Sequence, residues 1–433
     1  MAENKALLIK GGRVIDPASE RESLADVLID DGKIIAVDDP GKIPESRAAR
    51  VIDAAGCWVV PGLIDAHVHL REPGFEYKET IESGTAAAVA GGFTSVACMA
   101  NTSPVNDSPY VTAFIMEKAR STAKCRVFPV GALSKGMRGE ELAEIGGMIS
   151  EGARAISDDG GKPVMNSYLM RKAMDYVRAF DVPVISHAED AHLVGQGAMN
   201  ESALSSELGL RGNPDAAEEI MVAREVALCR LTKAKVHIAH ITTAVALEHL
   251  RRAKDAGLPI TAEATPHHLT LNEESIRAYN SNFKMSPPLR SRHDVEALRR
   301  AVADGVVDMI ATDHAPHGII DKALEFDLAA SGIIGLQTAV ALALKLVHDG
   351  LMKPMRFVEA FTSKPAKLLG IPYGTLRPGS AADIAVIDPD AGWVFRDDVI
   401  LSKSGNSPFI GWEFKGRARY TLIDGRVVFG SEG

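Results

Sequence analysis

The stretch Val60-Pro61-Gly62-Leu63-Ile64-Asp65-Ala66-His67-Val68-His69 is an apolar run that ends in two imidazoles one residue apart. Alternate residues of a strand face the same way, so His67 and His69 point together and can chelate one ion through ring nitrogen. A His-x-His pair alone is weak evidence. Its weight comes from its position at the head of a long series of strand–helix repeats.

That series defines the middle of the chain. Apolar strands are expected at 57–60 continued by 63–70, then at 94–99, 126–131, 153–157, 182–187, 236–241, 259–264 and 307–312. Stretches with helical periodicity separate them, for example 79–90, 167–180, 214–231, 244–256 and 294–303. Eight such repeats are the signature of an α/β fold of the TIM-like (β/α)8 barrel type. A doubly wound open sheet is the competing arrangement. It is weakened because no strand is followed by a Gly-x-Gly-x-x-Gly turn.

The two ends of the chain have a different texture. Ala6-Leu7-Leu8-Ile9 runs into Gly11-Gly12, and Arg13-Val14-Ile15 into Asp16-Pro17, which reads as short strands with tight turns. Asp31-Gly32 and Asp424-Gly425 lie between apolar runs, a strong hairpin signal. A further strand is expected at 382–387. These ends predict one small β-sandwich domain assembled from both termini, 1–60 plus 372–433, flanking a barrel over 61–371.

Bulk properties set limits. The chain has 433 residues, which suits a large barrel with a smaller domain. Its net charge of -9 argues against a nucleic-acid partner. It leaves room for a small anionic substrate, because the local charge of a cleft can oppose the global sign. The four cysteines have no paired spacing, so neither a disulfide framework nor a thiolate metal site is expected. Cys98, Cys125 and Cys229 read as buried small hydrophobes. No apolar run is long enough to span a bilayer and no cleavable leader pattern is present, so the expected location is the cytoplasm.

In barrels of this kind the chemistry sits at the C-terminal strand ends. Strand four ends in Ser157-Asp158-Asp159-Gly160, where a carboxylate can bridge two cations; Asp159 is favoured over Asp158. Strand five ends at His187 and strand six at His237-Ile238-Ala239-His240. A separation of three turns His237 and His240 to opposite faces, so His240 is the ligand candidate and His237 reads as packing. Strand eight ends in Thr312-Asp313-His314-Ala315-Pro316-His317, where Asp313 can both ligate a metal and act as general base. His67, His69, Asp159, His187, His240 and Asp313 suffice for two adjacent divalent ions. Imidazole and carboxylate ligation favours zinc, with manganese, iron and cobalt as alternatives.

The His-x-His of strand one and the Thr-Asp-His-Ala-Pro of strand eight resemble the amidohydrolase superfamily over essentially the whole chain. Within it the chain is most similar to the long bacterial form of the dihydroorotase family. His69-Leu70-Arg71-Glu72-Pro73-Gly74, Met99-Ala100-Asn101-Thr102 and Ser157-Asp158-Asp159-Gly160 carry that likeness. The last stands where hydantoinases and allantoinases have a carbamylated lysine. The resemblance implies reversible interconversion of (S)-dihydroorotate and N-carbamoyl-L-aspartate in pyrimidine synthesis, with two zinc ions per subunit. It implies substrate contacts at His69, Leu70, Arg71, Asn101, Ser286, His317, Ser331 and Gly332, the last two through backbone groups. An Arg–Asn pair suits a carboxylate, since a guanidinium fork binds it in a bidentate manner. Two departures stand out. Ser286 occupies a position that is usually Asn, and Ala100 one that is often Pro. The resemblance also implies a homodimer and association with aspartate transcarbamoylase. Rival readings are another cyclic amidase, a catalytically silent scaffold for that transcarbamoylase, and a metal-binding barrel.

Overall fold

The computed structural model describes residues 6–161 and 163–430; the remaining positions of the expected domains, 1–5, 162 and 431–433, lie outside the described residues. Eight parallel strands form the central sheet: Leu63–Val68, Phe93–Cys98, Arg126–Gly131, Ala155–Ser157, Val184–Ser186, Val236–Ile238, Ile260–Ala264 and Met309–Ile310. Each pairs with the next in sequence. The ring closes where Val68 bridges His314 in parallel and the His69 amide donates to the His314 carbonyl at 2.9 Å. Strands one and two are buried at every residue. Burial of alternate residues on both sides is what a parallel sheet covered on both faces demands.

Helices cover the outside, and several turn one apolar stripe inward. In Arg292–Ala303 the buried residues are Val295, Leu298, Ala301 and Val302, and the Ser291 hydroxyl caps the first turn by accepting from the Asp294 amide. Truncating the fully buried Leu298 to Ala would cost about 2–5 kcal/mol through lost burial and the cavity left behind. The expected helices at 79–90, 167–180, 214–231 and 244–256 appear as Ile81–Ala90, Ser167–Val177, Asp215–Thr232 and Ala244–Asp255.

Most expected strands run longer than the observed ones, at the mouth by 69–70, 187, 239–241 and 311–312, and at the other end by 153–154, 182–183, 259 and 307–308. The regular strands end at Val68, Ser186, Ile238 and Ile310, one to three residues before His69, His187, His240 and Asp313. Beyond them the backbone bends: Arg71, His240 and Asp313 have φ of 63°, 31° and 46°. These left-handed conformations carry strain for residues with a Cβ. They turn side chains inward that strand alternation would not.

The terminal strands join in one eight-stranded sheet, with Trp58–Pro61 at the seam between Leu7–Asp16 and Ile384–Val394. Val14, Val27, Ile34, Val59, Ile384 and Leu422, drawn from both ends of the chain, share one apolar core. The two Asp-Gly hairpins form as expected, with φ of 45° and 73° at Asp31 and Gly32 and of 47° and 71° at Asp424 and Gly425. The expected turn at Gly11-Gly12 does not form. Leu7–Asp16 is one strand, and the glycines mark a register shift between Ile9 and Gly12 against Arg21–Asp30. All four cysteines are buried and free. Among the described residues no helix is long and apolar enough to cross a membrane.

Candidate metal centre and active site

Asp159, two residues past strand four, stands at the centre of the barrel mouth. Its Oδ2 lies 3.0 Å from His67 Nε2 and 3.4 Å from His69 Nε2, and its Oδ1 lies 3.0 Å from His187 Nδ1 and 3.1 Å from His240 Nε2. Asp313 Oδ1 adjoins the same cluster, 3.0 Å from His69 Nε2 and 3.5 Å from His67 Nε2. Burial opposes ionisation of Asp159, but the surrounding imidazoles, His67 first, hold it well below the usual carboxylate range. Burial likewise opposes charge on His67, yet Asp159, Glu263 and Asp313 outweigh it and raise its affinity for a proton.

The donor set fits divalent ions. His67, His69 and Asp313 form one buried triad whose candidate ligand atoms all lie within 4.8 Å of one another, and His67, Asp159 and His240 form a second. His187 adds a nitrogen on the far side of Asp159, its ring centroid 4.6 Å from that of His240. Imidazole nitrogen with carboxylate oxygen is the ligand chemistry of zinc and its neighbours.

Three of the histidines are aimed by a partner behind them. His67 Nδ1 faces Glu263 Oε1 at 2.6 Å, His69 Nδ1 faces Asn101 Oδ1 at 2.8 Å, and His187 Nε2 faces Glu189 Oε2 at 2.8 Å. An oxygen at the far ring nitrogen fixes which nitrogen is left for a metal. Glu263 also takes His237 Nε2 at 3.0 Å, and His237 Nδ1 meets Thr261 Oγ1 at 2.8 Å. Burial opposes charge on Glu263, but His67 and His237 hold it at about 2.

His237 therefore does more than pack. The expectation that it and His240 face opposite ways fails because the strand ends at Ile238. The bend at His240 brings its amide within 3.4 Å of the same Glu263. Glu263 and Glu189 were missed from the sequence, although each left a signal. Glu263 is an acid inside an otherwise uncharged strand, and Glu189 follows His187 at the same two-residue spacing as the His67–His69 pair.

The two adjacent acids take different partners. Asp158 turns away from the cluster: its Oδ1 accepts from the Leu133 and Ser134 amides at 2.7 and 3.0 Å, and its Oδ2 meets the Ser134 hydroxyl. Burial raises it to about 6.

A cavity of about 360 Å³ opens over the cluster, lined among others by Arg71, Asn101, Glu189, Ser286, His317 and Ser331. Arg71 Nε donates to the Pro316 carbonyl at 3.1 Å, and its Nη2 lies 3.3 Å from His317 Nε2. Burial lowers Arg71 only to about 10, so it stays cationic at neutral pH. Burial, then the charges of Arg71, Lys78 and Lys322, lower His317 to about 2, so its imidazole is neutral. Ser286 donates to Glu189 Oε2 at 3.1 Å, which ties this shorter side chain to the support of His187.

Two expected contacts differ. Leu70 does not line the cavity; its side chain packs over Gly84 in the core beneath the helices. Gly332 lines it, but its backbone is already engaged, its N–H by the Lys284 carbonyl at 2.9 Å and its C=O by Lys322 and Asn406. What it contributes is the absence of a side chain, since a Cβ there would stand 2.6 Å from the Ala315 carbonyl and 2.7 Å from His317 Cδ2.

Comparison with known proteins agrees with this geometry. A model of the amidohydrolase family matches residues 58–428. The chain is 50% identical over 424 residues to a dihydroorotase of Anaeromyxobacter dehalogenans, covering 98% of this chain and 97% of the relative. It is 51% identical over 424 residues to a dihydroorotase of Geobacter metallireducens, covering 98% and 99%. An L-hydantoinase (dihydropyrimidinase) from Arthrobacter aurescens superposes with a TM-score of 0.88 at 24% identity over 98% of this chain and 96% of that one, a likeness of fold alone. A D-hydantoinase (dihydropyrimidinase) from Thermus sp. gives 0.81 at 28% identity over 97% and 94%. The chain belongs to the amidohydrolase family and, within it, to the dihydroorotases.

Proposed function

We propose that the chain interconverts (S)-dihydroorotate and N-carbamoyl-L-aspartate, using two zinc ions. The observation that carries this reading is the polarity of one cavity. Buried imidazoles gathered on Asp159 stand at one end, and the cationic Arg71 with His317 stands at the other.

His67, His69, Asp159 and Asp313 would hold one ion, and Asp159, His187 and His240 the other. Such ions supply hydroxide from coordinated water near neutral pH and polarise a carbonyl. The chain's own residues do the rest. Arg71 binds the substrate carboxylate. Asn101, whose Oδ1 is engaged by His69, donates through Nδ2. His317 completes that end as a neutral imidazole. Fixing the carboxylate orients the ring amide toward the metal cluster. Asp313, held ionised by its imidazole neighbours, takes the nucleophile's proton at its carboxylate and returns it to the leaving ring nitrogen.

We assign residues 1–60 with 372–433 to a terminal domain and 61–371 to the catalytic barrel. The reading includes a cytoplasmic homodimer and docking to aspartate transcarbamoylase, which sedimentation of the protein alone and mixed with that enzyme would test.

The decisive assay is turnover of L-dihydroorotate by zinc-reconstituted protein, with hydantoin and allantoin as uncharged rings. Turnover confined to dihydroorotate supports the reading. Turnover confined to an uncharged ring would keep the metal centre and overturn the substrate.

A further inference from the structure

The anion end of the cavity is made from loops, and one side chain of the terminal sheet holds them together. Asn406 lies in the excursion between the strands Ile384–Val394 and Glu413–Ile423 and is 4% exposed. Its Oδ1 accepts from the His317 amide at 2.9 Å, and its Nδ2 donates to the Ala315 and Gly332 carbonyls, each at 3.0 Å. Its own carbonyl accepts from the Ile334 amide at 3.1 Å. The two segments it ties, 315–317 and 331–334, carry His317, Ser331 and Gly332 to the cavity wall.

The excursion is itself anchored. Phe395, Phe409 and Phe414 pack with Met285, Ile333 and Ile334 directly behind the cavity. The Lys403 amide and the Ser402 hydroxyl engage Glu79, and the Ser404 hydroxyl donates to the Lys78 carbonyl at 2.6 Å. Lys322, 8% exposed, grips the same loop from the other side through the Ala330 and Gly332 carbonyls at 2.8 and 3.2 Å. Among the described residues, the hydrogen bonds of Asn406 go to His317, Ala315, Gly332 and Ile334 and not to the cluster gathered on Asp159.

We infer that Asn406 is a positioning residue through which the terminal domain sets His317, and with it Arg71, for the substrate's carboxylate. The inference rests on the proposed reading of Arg71 and His317 as the carboxylate site. Buried polar groups left without partners rearrange or draw in water. Losing Asn406 would therefore loosen carboxylate recognition while leaving the hydrolytic machinery assembled.

The test uses the metal-loaded full chain and the Asn406→Ala variant. The measurements are KM and kcat for dihydroorotate, metal content, and the rate with dihydrouracil, the same ring without its carboxylate. The expected result is a KM about tenfold higher with kcat within about threefold of the parent. Metal content stays unchanged, and preference for dihydroorotate over dihydrouracil shrinks. Asn406→Ser, which keeps one hydroxyl and perturbs folding less, falls between parent and Ala and is read the same way if the Ala variant folds poorly. An unchanged KM in a folded variant overturns the inference. So does a loss of kcat and metal together, since that would show a general structural role. Absence of dihydroorotate turnover in the parent would instead overturn the functional reading on which the inference stands.

Discussion

The two ends of the cavity are built in contrasting ways. At the end gathered on Asp159, His67 lies within a barrel strand, and Asp159, His187, His240 and Asp313 lie one to three residues past the ends of four others, so each is carried close to a rigid sheet. At the anion end, His317, Ser331 and Gly332 stand on loops tied by Asn406 and Lys322, and Arg71 meets them through the Pro316 carbonyl and His317. A sheet places ligands with the precision a metal needs. Loops permit a pocket shaped to one substrate, but need remote side chains to hold them.

The contrast predicts that the two ends respond separately to substitution. The largest effect is expected for Asp313→Asn, which preserves shape but removes the proton carrier. Turnover should fall about 10²–10⁴-fold with fold and most metal retained; near-normal turnover would reject the assignment. Arg71→Met should come next. It removes a charged donor pair, so kcat/KM for dihydroorotate should drop about 10²-fold, measured beside an unchanged metal content. Metal loss in that variant would show that the two ends are one unit.

Glu263→Gln tests the support of the metal end alone. Metal affinity, read by competition with a chelator, should weaken about 10–100-fold. Equal affinity would mean that packing suffices to orient His67. The smallest functional effect belongs to Asp158→Ala. Unfolding should cost about 1–3 kcal/mol less, because the Leu133 and Ser134 amides lose their acceptor. Metal stoichiometry should not move, and if it does, Asp158 has a share in the centre.

Much of this molecule was legible in the residues. The eight repeats, the composite terminal sheet, both Asp-Gly hairpins and the six side chains that converge at the barrel mouth follow from periodicity, turn chemistry and position at strand ends. What was misread lies where local rules give way. The glycines at 11 and 12 mark a register shift and not a turn, because a long apolar strand continues through them against its neighbour. Leu70 stands between His69 and Arg71, which line the cavity, yet the core takes its side chain. His237 was set aside by alternation, which holds only while the strand lasts.

From its residues alone, then, the chain specified a barrel, a terminal sheet and a metal chemistry, because these depend on patterns repeated within short windows. Only the tertiary structure turned Asp158 onto the Leu133 and Ser134 amides, set Glu263 behind His67, and brought Asn406 across to His317. Each of those is a hydrogen bond between residues far apart in sequence, and no local period encodes such a partner.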